Sequence, residues 1–136
     1  MSTKMIQSSG KRKSAIARAI LRYPAKSEIK INNVPLEIYQ PEISRSRIKE
    51  VLMIANHEKV DKCNFEISVE GGGIQGQTEA VRMAIARGLN ELIGTKTIEQ
   101  TFREYDDSLL SGDERRTESK HFGGKKARAR RQKSFR

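Results

Sequence analysis

Gly71-Gly72-Gly73-Ile74-Gln75-Gly76 satisfies the G-x-G-x-x-G spacing of a phosphate-binding turn. Glycines tolerate positive φ and admit a second backbone at close range, and a helix that follows offers free N–H groups to an anion. Taken alone, the motif is the opening of a dinucleotide fold. Its surroundings argue otherwise. Beyond Gly94 the pattern is helical, not the second parallel strand of a βαβ unit, and no acidic residue stands where one would hold a ribose. The motif therefore reads as a phosphate-binding turn for RNA or as a plain tight strand-to-helix connection.

Other reactive side chains do not assemble. His57 and His121 are far apart, and Cys63 is the only cysteine. Zinc sites need closely spaced Cys and His ligands. A Cys63/His57 nucleophile pair has nothing to orient it, and Asp106-Asp107 reads as a solvated helix end rather than a metal site. No catalytic residue, metal or cofactor is expected, and no small-molecule substrate. A lone thiol cannot close an intramolecular disulfide, and no run is long and apolar enough to span a bilayer. The expectation is a cytoplasmic protein without a membrane partner.

Charge is where the chemistry lies. Residues 115–136 carry ten Lys or Arg against Glu118 alone, most of a formal net charge of +10. Residues 1–30 add eight bases against one acid, while residues 31–114 hold nine bases and fifteen acids. Lys125-Lys126-Ala127-Arg128-Ala129-Arg130-Arg131 cannot bury enough apolar area to offset its ordering entropy, so a polyanion must order it. Guanidinium forks grip phosphate oxygens in pairs. Ala127 and Ala129 keep the strand slim, Gly123-Gly124 supplies a flexible joint, and Phe122 and Phe135 can stack on bases. Recognition by shape and phosphate is expected, not base-edge reading. Arg82 and Arg87 read as solvated charges on a helix.

The elements that must position these groups follow from periodicity. Residues 15–22 and 28–31 read as an antiparallel strand pair, with residues 5–8 an extra strand. Lys11, Arg12 and Lys13 fall on the loop or strand edge between the first two. A helical turn after Pro35 precedes a helix from Pro41-Glu42 to about Asn56, burying Ile43, Ile48, Val51, Leu52 and Ala55. Phe65, Ile67 and Val69 alternate with polar residues as a half-buried strand. A helix over 77–93 aligns Val81, Ile85, Gly88, Leu89 and Leu92 on one face, and Gly94 stops it. A shorter helix covers 98–109. The fold class is α+β, a single sheet packed by helices, with a globular body over 1–112 and a long extended basic tail over 113–136.

Three segments together resemble one family. Gly10-Lys11-Arg12-Lys13-Ser14-Ala15-Ile16-Ala17-Arg18-Ala19 looks like the opening signature of small-subunit ribosomal protein nine. Gly71 to Gln77, with Ala80, Arg82 and Ala84-Ile85-Ala86-Arg87, resembles its central motif, and Ala127 to Arg136 its C-terminal tail. The tail is archaeal or eukaryotic in type, and the first two motifs lean archaeal. Phe135 stands where the family pattern has Tyr, which loses a hydroxyl and keeps the stacking face.

The resemblance implies a fold similar to the second domain of ribosomal protein five of the same subunit. It implies a structural role on rRNA of the head (3′ major domain), beside neighbouring ribosomal proteins. Lys11, Arg12, Lys13, Arg18, Gly72 and Gly73 would be the body's rRNA contacts, and Lys125, Lys126, Arg128, Arg130 and Arg131 those of the tail. Lys133 and Arg136 would reach peptidyl-site tRNA. The rivals are a free architectural protein that coats nucleic acid and a nucleotide-binding enzyme built on the glycine motif.

Overall fold

The computed structural model describes residues 2–134. Strands β1 (Lys4–Arg12) and β2 (Ala15–Tyr23) form a hairpin closed at Lys13-Ser14, in register from Lys4 opposite Tyr23 to Arg12 opposite Ala15. β3 (Glu28–Ile31) and the two-residue β4 (Val34–Pro35) follow, then a 3₁₀ turn over Leu36–Ile38. Helix α1 (Glu42–Ala55) leads through a second 3₁₀ turn to β5 (Asn64–Glu70). Helices α2 (Ile74–Ile93), α3 (Lys96–Tyr105) and α4 (Ser108–Ser111) complete the body. The architecture is α+β, with one mixed sheet in the order β1-β2-β5-β3-β4.

β2 and β3 do not pair, contrary to the sequence expectation. β5 lies between them, antiparallel to β2 and parallel to β3. Length decides this: β3 has four residues and would leave most of the nine-residue β2 edge without partners, whereas β5 matches β2 over Ile16 to Arg22. Unpaired main-chain groups are costly, so the longer strand takes the place.

One face of the sheet is buried. Ala15, Ala17, Ala19 and Leu21 of β2 and Phe65, Ile67 and Val69 of β5 all turn under α2. Alternation with period two delivers them there. α2 is buried on nearly all sides, including the unbroken run Ala80 to Ala86. Small residues at 80, 84 and 86 let the sheet and α1 approach it closely. Thr78 donates to Ser44 at 2.8 Å where α1 and α2 cross. Gly94, at φ +65°, ends α2 as expected.

Three helix expectations need correction. α2 begins at Ile74, three residues before the expected start, so Gly76 lies inside it. Ile43 is 74% exposed, because it lines an open cleft beside Gly72 and Gly73 and not the core, and Ser44 is buried instead. The stretch 98–109 is two helices. Asp106 turns extended and its carboxylate accepts from the Ser108 N–H (3.0 Å) and hydroxyl (2.6 Å), an Asx turn that restarts the chain as α4.

Candidate nucleic-acid interface

The two signatures of the body meet at one end of the sheet. The β1–β2 turn, with Lys13 at φ 53°, presses on the glycine turn that links β5 to α2. A Cβ on Gly71 would stand 2.5 Å from the Ser14 carbonyl, and one on Gly72 would stand 2.9 Å from the Ala15 Cβ. Both glycines also have positive φ, +77° and +64°. Their presence is explained by this approach. Gly73 is different: a Cβ there meets nothing within 4 Å, and it opens α2 without a side-chain cap. The first main-chain bond of α2 runs from the Gln77 N–H to the Gly73 carbonyl (2.9 Å). The N–H groups of the first turn are thus left for solvent or an anion. After Gly94 comes α3, not a strand, so the motif does not sit in a βαβ unit.

Beside this turn is a cleft of about 540 Å³, lined by Arg12, Lys13, Ser44, Gly73 and Gln75 among others. A neighbouring hollow of about 520 Å³ adds Arg47, Arg82, Asp113 and Arg115 to Arg12 and Lys13. Most cations there are already matched. Arg47 meets Glu79 at 2.8 Å, and Arg82 meets Glu79 at 2.8 Å and Glu50 at 3.0 Å. Asp113 takes Arg115 at 2.7 Å and Arg12 at 3.1 Å. Hydrogen bonds from Arg115, then the nearby Arg12 charge, hold the Asp113 carboxyl well below its usual range. Lys13 makes no ion pair with the described residues and is exposed at the turn.

Lys11 and Arg18 lie on the opposite, open face of the sheet, where no helix packs. Arg18 is held by Glu70 at 2.8 Å, and its neighbour Arg22 by Glu66 at 2.6 Å. Each partner of the second pair shifts the other, Glu66 down and Arg22 up, chiefly through their shared hydrogen bond. The body residues singled out in the sequence therefore divide between two faces. Arg12, Lys13, Gly72 and Gly73 cluster; Lys11 and Arg18 do not join them.

The tail, residues 113–134, contains no helix or strand, only a single antiparallel bridge between Gly124 and Arg130. The Lys125 N–H donates to the Ala129 carbonyl at 3.1 Å, so the basic segment closes a loop at this point rather than running straight. Lys125, Lys126, Arg128, Arg130, Arg131 and Lys133 are all exposed around and after it. Of these, Arg128 pairs with Glu118 at 2.8 Å. Phe122 is wholly exposed. Arg136 and Phe135 lie outside the described residues.

Arg82 and Arg87 are not solvated charges. Arg82 is buried in its two ion pairs, and Arg87 donates to the carbonyls of Leu110 (2.9 Å) and Ser9 (2.8 Å). Their partners come from distant segments, which no helical period reveals. Arg47 and Arg115 were not singled out in the sequence either; only the fold brings them to Arg12.

The sequence model of the family described as ribosomal protein S9/S16 matches residues 10–136. The chain belongs to this family. It is also similar to the small ribosomal subunit protein uS9 of Methanothrix thermoacetophila, 46% identical over 133 residues, covering 98% of this chain and 99% of that protein. The S9 family match takes in all three signatures, and it makes this chain a structural component of the small ribosomal subunit. No helix among the described residues is long and apolar enough to cross a membrane.

Proposed function

We propose that this S9-family chain binds small-subunit rRNA of the head through the turn end of its body and through its tail, and that the tail's end approaches peptidyl-site tRNA. The observation that carries this reading is the separation of charge. Body guanidiniums are mostly engaged by carboxylates, while the described cations of the tail are exposed, and Glu118 is the one acid in the sequence past Asp113 and Glu114. A slim cationic segment enters crevices closed to a folded domain and neutralises phosphates that would repel one another. At the body, Lys13 and the uncapped first turn of α2 offer a phosphate one charge and several N–H donors. Lys11 and Arg18 would serve a wider rRNA footprint.

Deleting residues 125–136 tests the tail. The cut removes seven Lys and Arg. If each meets one phosphate, the log–log salt slope of rRNA binding falls by about 5 units, at about 0.7 per single-strand contact. An unchanged slope removes the tail from the interface. Deleting Arg136 alone should spare subunit assembly and weaken peptidyl-site tRNA binding or initiation fidelity. Equal tRNA affinity and fidelity with and without it would end that assignment.

A further inference from the structure

The tail leaves the body through two arginine grips on either side of Gly112. Before it, Arg87 of α2 donates to the Leu110 carbonyl and, from its other side, to Ser9 of β1. After it, Asp113 points back at Arg12, the last residue of β1. This second contact is sheltered: the Arg12 and Asp113 side chains are only 17% and 15% exposed. Arg12 Nη1 is buried and makes no hydrogen bond with any described residue, so the Asp113 carboxylate meets it as an ion pair at 3.1 Å. Arg115 holds the same carboxylate, its main-chain N–H on Oδ1 (2.9 Å) and its guanidinium on Oδ2 (2.7 Å), the oxygen that Arg12 also faces.

Arg12 therefore differs from its neighbours in the opening signature. Lys11 and Lys13 stand in solvent, whereas Arg12 turns to the helix side of the sheet and spends its charge on the tail root. We infer that Arg12 and Asp113 form a clasp that fixes where and in which direction the basic tail departs, making Arg12 a positioning residue for the tail and not an rRNA ligand. The effect on RNA rests on the proposed reading that the tail contacts rRNA. Its physics is that of a tether. A root held in one direction keeps the cationic segment at high effective concentration over one crevice, and a free root spreads it over many. A sheltered pair also resists salt better than an exposed one.

Asp113→Asn in the full-length chain separates the two roles by sign. Removing a negative charge from a phosphate-binding protein should tighten rRNA binding, and would do so most if it released Arg12 for a phosphate. The clasp predicts the reverse, a loss of about threefold or more with the salt slope unchanged, since the tail keeps its phosphate contacts. Arg12→Gln should give a loss in the same direction, and the double variant no more than Asp113→Asn alone, because that change already removes the contact with Arg12. Tighter binding by Asp113→Asn, or losses that multiply in the double variant, would overturn the assignment. Backbone ¹⁵N relaxation of residues 111–116 in the free chain provides a readout that needs no RNA. The wild type should be ordered there and both single variants mobile, with the rest of the spectrum unmoved; a root equally ordered in all three would also overturn it. Should the wild type fail to bind rRNA, the proposed function falls, while relaxation alone still decides the clasp.

Discussion

A Cβ placed on Gly10 would fall on the carbonyl oxygen of Ala80, with the Ala84 nitrogen and the Met83 Cβ both at 2.9 Å. β1 crosses α2 here with backbone against backbone, and no side chain is present to give way. Gly10→Ala must push strand and helix apart, costing about 3 kcal/mol or more, at or above the upper end for overpacking. Gly73→Ala is the contrast. Its φ is −109° and the space is open, so only the poorer helix-capping of Ala is felt, about 1 kcal/mol or less. Urea unfolding of both variants, with m unchanged, checks the pair. Near-equal midpoints would show that β1 and α2 are not so close.

Arg82 ties three helices together. It bridges Glu79 on its own helix and Glu50 on α1, and the Tyr105 hydroxyl of α3 also donates to Glu50. Arg82→Met would leave the partly sheltered Glu50 carboxylate without a cation, beside a Glu79 that keeps only Arg47. The expected loss is about 2–4 kcal/mol, since breaking a buried pair costs more than the pair contributes. Adding Glu50→Gln to Arg82→Met should recover part of it by removing the stranded charge. Thermal melting of the single and double variants measures this, and a wild-type Tm for Arg82→Met would make the network a surface ornament.

What the sequence disclosed was local. Phe65, Ile67 and Val69 announce β5 by alternation, and Val81, Ile85, Leu89 and Leu92 announce the buried face of α2, because both patterns are written within a few residues. Partner choice is not written there. Residues 15–22 and 28–31 are adjacent and both strand-like, and only the competing length of β5 shows that it comes between them. Arg82 looked like its solvated neighbours, since the carboxylate that buries it is 32 residues away. The phosphate-like glycine turn was legible as a motif, yet its reason lies in Ser14 and Ala15, which sequence distance hides. Asp113 opens the extended tail in sequence, and its contact with Arg12 lies too far along the chain for any local pattern to reveal.

Cys63 offers a clean reporter. The thiol is buried, donates to the Lys59 carbonyl at 3.0 Å, and is pushed up to about 11 by burial, against a smaller opposing pull from the Lys59 charge. At pH 8 its thiolate fraction is about a few hundredfold below that of a free cysteine. Iodoacetamide should leave the native chain unmodified over a time that fully labels the urea-unfolded chain at one group per molecule. Rapid native labelling would mean that the segment around the second 3₁₀ turn opens far more readily than its packing implies.

Acid gives the last test, through Asp113. Its carboxyl is held below the ordinary range first by the hydrogen bonds from Arg115 and then by the charges of Arg115 and Arg12. A depressed folded-state value means the stabilisation is fully present above the unfolded value of about 3.9 and is lost only as pH falls through the folded one. Asp113 should therefore stay ionised in the folded chain at acidities where an ordinary aspartate, at about 3.9, has taken up a proton. A ¹³C titration of the side-chain carboxyl shifts resolves Asp113 individually. In Arg115→Gln the Asp113 titration should move up toward the ordinary range, because the largest cause of the depression is gone. In Arg12→Gln it should move up by less. Titration of wild-type Asp113 at the ordinary aspartate value of about 3.9 would mean that the guanidinium contacts around it do not persist in solution.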